Sequence, residues 1–109
     1  MEKQRVKISL LCDVYGELLT KRQRDMLRLF YDYDNSLSEI AEQYSITRQG
    51  VFDCINKGEE ALLRFESALK LLEKKEKITD RLNSIKASVK GNNEDVDKDI
   101  EAISRLLGE

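Results

Sequence analysis

Side chains that can bind nucleic-acid bases and phosphates are concentrated between residues 47 and 57. An arginine can donate two hydrogen bonds to guanine, a glutamine can pair with adenine, and a lysine suits a backbone phosphate. If this segment is the DNA-docking helix of a helix pair, its first turn, Thr47 to Gln49, is the part that usually contacts base edges. We predict that seven residues of this segment contact nucleic acid, namely Thr47, Arg48, Gln49, Phe52, Asp53, Asn56 and Lys57.

A second group of cations lies upstream, where Lys21, Arg22 and Arg24 follow Thr20, whose hydroxyl can cap the start of their helix. A helix that precedes a DNA-docking helix pair can lie across the phosphate backbone, so we add these three residues to the predicted nucleic-acid contacts. Arg28 lies one turn further along. We interpret it as part of a solvated charged face.

The residue types needed for enzyme chemistry are missing. The chain has no histidine, which excludes a Ser-His-Asp triad and a histidine-ligated metal. Cys12 and Cys54 lack Cys-x-x-Cys spacing, and we interpret them as reduced core residues. No Gly-rich phosphate loop or nucleophile–base pair is present. We therefore predict no enzymatic activity, no catalytic residue, no metal site and no cofactor.

The composition predicts an all-α fold. A chain of 109 residues with no proline and only five glycines lacks the turn residues that an all-β protein requires. No apolar run approaches the roughly 20 residues of a membrane span. Residues 1–7 lead into no apolar signal segment. We expect a cytoplasmic protein that does not insert into a membrane.

The segment from residue 36 to residue 62 has the pattern of a helix-turn-helix. Ser36 and Glu39 form a capping box at the start of a short helix, and Thr47 can cap the next one. A small side chain at Ala41 allows the two helices to approach closely, while Ile46 would anchor the turn in the core. We predict that the recognition helix, which in such folds enters the major groove, spans about residues 47–58.

Apolar spacing predicts the helices around this motif. The first helix should span residues 2–15, with a core face formed by Val6, Leu10, Leu11, Val14 and Leu18. The fourth helix should be long, because a heptad seam comprises Val51, Ile55, Gly58, Leu62, Phe65, Leu69 and Leu72. This seam fits either the core of one domain or a dimer interface. Because small domains bury a limited fraction of their surface, we predict a homodimer.

The sequence after residue 75 predicts an αα-hairpin. A new apolar stripe comprises Ile78, Leu82, Ile85 and Val89, and the last one comprises Val96, Ile100, Ile103 and Leu107. The turn signal Gly91-Asn92-Asn93 separates the two stripes. We therefore divide the chain into a helix-turn-helix domain, residues 1–75, and a C-terminal helical extension of the same fold unit, residues 76–109.

The charge distribution opposes strong nucleic-acid binding. The net charge of the chain is −2, and residues 36–60 contain two cations against five anions. DNA affinity depends largely on phosphate neutralisation, and Asp53 would repel phosphate unless it meets a cytosine amino group. A helix-turn-helix can also serve as a packing unit or a protein-docking surface.

The sequence resembles two known groups of proteins. Residues 19–51, LTKRQRDMLRLFYDYDNSLSEIAEQYSITRQGV, follow the layout of region 4 of the sigma-70 family. The more specific resemblance is to the YlxM-type family of small bacterial helix-turn-helix proteins. It runs from about Leu11 to Leu72 and includes Tyr15-Gly16, the segment Ser36 to Glu42, and Val51-Phe52-Asp53. Gly50 and Thr47 stand where we expect alanine and serine in that family.

The resemblance implies a DNA-binding regulator in which Arg48, Gln49 and Phe52 lie on the surface of the second helix. It also implies a link to the signal recognition particle, because genes of this family typically lie beside those for the particle's protein and receptor. Two functions remain open on this basis. One is sequence-specific transcription regulation, and the other is a protein- or RNA-interaction module that contacts the particle's protein, RNA or receptor.

Overall fold

A computed structural model describes residues 2–89 and 94–108, and this part of the chain is helical with no strand. The helices are α1 (Glu2–Tyr15), α2 (Lys21–Tyr31), α3 (Leu37–Tyr44), α4 (Arg48–Leu69), α5 (Leu71–Ser88) and α6 (Glu94–Leu106). A short 3-10 helix (Gly16–Leu18) links α1 to α2. The all-α prediction is confirmed. The chain forms two compact units, divided between Lys70 and Leu71.

Side-chain caps fix the starts of the helices that matter most for the site. The Thr20 hydroxyl accepts a hydrogen bond from the Gln23 backbone N–H at 3.1 Å, and the Gln23 side chain accepts one from the Thr20 N–H. Ser36 and Glu39 form the same reciprocal pair at the start of α3. These bonds satisfy backbone donors that have no partner within the helix, so the predicted starts of both helices are confirmed.

The core of the first unit lies between α1, α2 and α4, with α3 packed against α2 and α4. Its fully buried side chains include Leu11, Met26, Leu27 and Leu62. Gly58 of α4 is also buried. A Cβ atom at this position would lie only 2.8 Å from Leu27 Cδ1. The glycine therefore allows α2 and α4 to approach closely.

Both cysteines are free thiols, as predicted. Cys12 is buried in the core, whereas Cys54 is half-buried. Burial raises the pKa of the Cys12 thiol, since a thiolate is poorly solvated there.

The predicted core face of α1 was wrong in phase, although the predicted bounds of the helix are confirmed. Val6, Leu10 and Leu18 are exposed, and Ile8 and Tyr15 are buried together with Leu11 and Cys12. The prediction followed aliphatic spacing and left out Tyr15. The Tyr15 hydroxyl donates to Glu66 at 2.7 Å and its ring lies 5.9 Å from that of Phe65, so the tyrosine packs α1 against α4.

The predicted fourth helix was too long. Lys70 adopts a left-handed conformation (φ 54°) and ends α4, so Leu72 belongs to α5. On α4 the seam residues Val51, Ile55, Gly58 and Leu62 are buried, as the core interpretation predicts. Leu69 is exposed. The core interpretation of the seam therefore holds.

The second unit consists of α5 and α6, which contact each other as predicted for an αα-hairpin. Its buried apolar residues are Leu72, Leu82 and Ile100. The predicted Gly91-Asn92-Asn93 turn lies outside the described residues. Among the helices of the described part of the chain, none is long and apolar enough to cross a membrane.

Candidate nucleic-acid interface

The turn between α3 and α4 is fixed by its backbone. Ser45 adopts a left-handed conformation (φ 54°, ψ 43°), and its N–H donates to the carbonyls of Ala41 and Glu42. The Ile46 N–H donates to Ala41 at 3.1 Å, which ends α3 in the manner of a left-handed cap. The Thr47 hydroxyl then accepts from the Gly50 N–H at 3.0 Å and starts α4. Two separate helices, not one continuous helix, therefore form this motif.

Packing determines which face of α4 is exposed. Ile40 and Ala41 of α3 are buried, as are Val51 and Ile55 of α4, and the two helices contact each other. Because Val51 and Ile55 are four residues apart, they lie on one side of α4. The predicted inward positions of Ala41, Val51 and Ile55 are confirmed, whereas Ile46, predicted to anchor the turn in the core, is only half-buried. The opposite side of α4 is open to solvent.

Most of the predicted contact residues of this segment are exposed. Thr47, Arg48, Gln49, Phe52, Asp53 and Lys57 are exposed, whereas Asn56 is half-buried. The Gln49 side-chain amide donates to the Asp53 carboxylate at 3.0 Å, so part of its hydrogen-bonding capacity is used within the helix. The structure brings the seven residues together on α4 and its N-cap, Thr47, but their role as a binding site stays a prediction.

An open depression of about 510 Å³ lies between α3 and the first turns of α4. It is lined by Leu37, Arg48, Gln49 and Phe52. Phe52 is 46% exposed, so its ring is open to solvent at the depression. The depression thus combines apolar surface with one cation and one amide.

Sequence reasoning did not assign Leu37 to this site. Its spacing with Ile40, Ala41 and Tyr44 is that of a core stripe, and such a stripe carries no signal for a surface role. The side chain is half-buried, so part of it remains exposed at the depression.

The upstream cations have different partners. Lys21 forms an ion pair with Asp25 at 2.6 Å, which raises the pKa of its ammonium group. The guanidinium of Arg22 lies over the ring of Tyr44, 5.5 Å from its centroid, and so places a cation beside the last residue of α3. Arg24 is half-buried. Arg22 is therefore the upstream cation with a defined position next to the motif.

Arg28 is not simply solvated, contrary to the sequence interpretation. Its guanidinium donates to Asp13 at 2.6 Å and to Asp32 at 2.8 Å, and it reaches the Ser9 carbonyl at 3.5 Å. Since Ser9 and Asp13 belong to α1, the arginine ties α1 to α2. The bonds to these two carboxylates give Arg28 a structural role. Helical spacing in the sequence does not reveal the contact with Asp13, which is 15 residues away in the chain.

A second tyrosine braces α4 from α2. The Tyr31 hydroxyl donates to the Glu59 carboxylate. Burial raises the pKa of Tyr31, and the bond to Glu59 raises it further because both favour the neutral phenol. Together with the Tyr15–Glu66 bond, this contact holds the middle of α4 in place behind the exposed first turns.

A short capped helix, a left-handed turn and a second helix with one buried face define a helix-turn-helix protein. The chain belongs to the UPF0122 family, since the family model described as "Putative helix-turn-helix protein, YlxM / p13 like" matches residues 2–103.

Three curated relatives illustrate the similarity. A UPF0122 protein of Clostridium kluyveri is 43% identical over 83 residues, which cover 76% of this chain and 75% of the relative. One of Desulforamulus reducens is 50% identical over 68 residues, which cover 62% and 58% of the two chains. One of Clostridium acetobutylicum is 36% identical over 94% of this chain and 98% of the relative.

Proposed function

We propose that the protein is a DNA-binding regulator that inserts the first three turns of α4, about residues 47–58, into the major groove. The observation that carries this proposal is the exposed face of α4 directly after the turn, where Arg48, Gln49 and Phe52 surround one depression. In helix-turn-helix proteins the N-terminal residues of the second helix contact base edges.

The side chains at the depression suit particular bases. Arg48 can donate to the O6 and N7 atoms of guanine, and the apolar surface of Phe52 and Leu37 can receive a thymine methyl group. Gln49 keeps one amide hydrogen and its carbonyl oxygen for adenine while it donates to Asp53. The proposed site therefore prefers a guanine next to a thymine.

Phosphate contacts would come from a small number of cations. Lys57 lies two turns beyond Gln49 on α4, and Arg22 lies beside Tyr44 at the end of α3. Lys21 is partly neutralised by Asp25. Because few phosphates can be neutralised, we expect modest affinity that depends on correct base contacts.

Fluorescence anisotropy with DNA fragments selected by the purified protein tests this function. Arg48→Ala should weaken binding and relax base preference, because a bidentate guanine contact contributes about 1–3 kcal/mol. Arg64→Ala is the matched control, since it removes the same charge from the same helix at a position 16 residues away. Absence of binding by the wild type at ~50 mM salt, where phosphate contacts are strongest, would refute DNA binding.

The second candidate function is a protein- or RNA-interaction module of the signal recognition particle machinery. The excess of anions in the motif, five against two cations in residues 36–60, supports the protein-docking form of this candidate, because it opposes contact with RNA phosphates as it does with DNA phosphates. The same anisotropy assay with the particle's RNA, and pull-down of its purified protein and receptor, test this candidate. Binding to one of these together with no binding to selected DNA would favour the second function over the first.

A further inference from the structure

The exposed apolar residues of α5 follow a heptad spacing. Leu71, Ile78 and Ile85 lie seven residues apart and are 46%, 43% and 47% exposed. Since seven residues are almost two helical turns, these side chains form one straight stripe about 21 Å long. Seven-residue spacing is the geometry by which two helices supercoil around each other.

The other half of the same heptad pattern faces inward. Leu82 is buried and Val89 and Lys75 are half-buried, and they stand at the second core position between the exposed residues. The full pattern is therefore that of an a/d seam with a single polar member, Lys75. The buried position of this seam lies within the unit, in which α5 contacts α6. The exposed position is left for a second partner.

The charges of the two helices indicate the second partner. Helix α5 carries five cations and three anions, whereas α6 carries two cations and five anions. A net charge of +2 on α5 and −3 on α6 makes the pair complementary to another copy of itself, in which α6 of one copy can lie beside α5 of the other. Exposed Ile103 and Leu106 supply apolar surface on α6.

We infer that the α5 stripe, Leu71, Ile78 and Ile85, is the interface with a second copy of this chain, and that the two α5–α6 pairs associate as a four-helix bundle. The predicted homodimer thus uses α5, not the α4 seam. This inference does not depend on the proposed DNA-binding function, because it concerns a different unit of the chain.

Sedimentation equilibrium of the full chain tests the interface. The wild type should be a dimer at micromolar concentration. The double variant Ile78→Glu/Ile85→Glu should raise the dissociation constant by about 100-fold or more, because two buried charges would face the same seam. Val6→Glu is the control, since Val6 is a similarly exposed apolar residue on α1, and it should leave the dimer intact.

Circular dichroism shows whether each variant keeps its helices. If the double glutamate variant loses helicity, Ile78→Ala/Ile85→Ala replaces it and should still weaken the dimer by about 10-fold or more. A wild type that remains monomeric at ~100 µM would overturn the inference, because at that concentration even a Kd near 10 µM gives mostly dimer. So would a dimer that survives the double variants, or one that Val6→Glu dissociates.

Discussion

At the scale of single residues, the depression beside Phe52 carries the most specific chemistry. An exposed phenylalanine next to an arginine can contact the methyl group of thymine while the arginine contacts guanine. Uracil lacks this methyl group but pairs with adenine as thymine does, so replacing thymine by uracil removes only the contact between the methyl group and Phe52. The hypothesis concerns base preference alone, since phosphate contacts are the same for thymine and uracil.

Replacing thymine by deoxyuridine in a selected DNA site should weaken wild-type binding about fourfold, the value expected for one buried methyl group. Phe52→Ala should bind both DNAs equally. Leu63→Ala, a similarly exposed apolar residue of α4, should retain the preference for thymine. Anisotropy titrations measure all three proteins. Equal wild-type affinity for the two DNAs would refute the methyl contact and leave DNA binding itself intact.

Gly58 illustrates how a residue that weakens a helix can be required by packing. Its Cβ position lies 2.8 Å from Leu27 Cδ1, and Leu27 is buried. We expect Gly58→Ala to lower the free energy of unfolding by about 1 kcal/mol, since overpacking outweighs the gain in helix propensity. In the background of Leu27→Val the same change should be neutral or stabilising. Urea unfolding measures both effects, and equal costs in the two backgrounds would show that Leu27 is not the cause.

At the scale of elements, capping bonds define the motif. Hydrogen bonds from the Ser36 backbone and side chain lower the pKa of Glu39 below its ordinary value of 4.5. The stabilisation from this carboxylate is therefore present above pH 4.5 and is lost as the pH falls through the lower pKa of the folded state.

Glu39→Gln should make stability less dependent on pH between about 5 and 3, because a glutamine can still accept the Ser36 N–H but does not titrate. Gln23 already performs this role for Thr20. Glu42→Gln, on the same helix, is the control and should keep the pH dependence of the wild type. Urea midpoints at pH 7 and pH 3 provide the comparison. A wild-type slope in Glu39→Gln would contradict the role of the carboxylate.

The sequence predicted elements better than their junctions and faces. Caps at Thr20, Ser36 and Thr47 are local signals, and all three helix starts are confirmed. The end of α4 at Lys70 was missed, because a lysine in a left-handed conformation leaves no glycine in the sequence to mark it. The core face of α1 was misplaced because Tyr15 is buried through partners on α4, far away in sequence.

For the candidate site, the sequence predicted which side chains are exposed but not the contacts that they make. Exposure of Gln49 and Phe52 followed from the inward positions of Val51 and Ile55. Arg48, which has i, i+3, i+7 spacing with these two residues, is nevertheless exposed in the first turn of α4. The Gln49–Asp53 bond and the contribution of Leu37 depend on rotamers and on contacts between helices. Helical spacing contains neither kind of information.

At the scale of the whole molecule, a net charge of −2 restricts how nucleic acid can be bound. Lys57→Ala should reduce the slope of log affinity against log salt by about one per bound copy and leave base preference unchanged, as expected for a phosphate contact. Arg64→Ala should leave the slope unchanged. A changed base preference in Lys57→Ala would show that this lysine contacts bases and not the phosphate backbone.

The most direct test of the account is a photocrosslink from α4 to its ligand. A benzoylphenylalanine at position 52 should crosslink to selected duplex DNA, and the same group at position 6, which is similarly exposed on α1, should not. Crosslinks from position 52 to DNA would place the first turns of α4 against the bases, as the account predicts. Efficient crosslinking from position 6 and none from position 52 would contradict it.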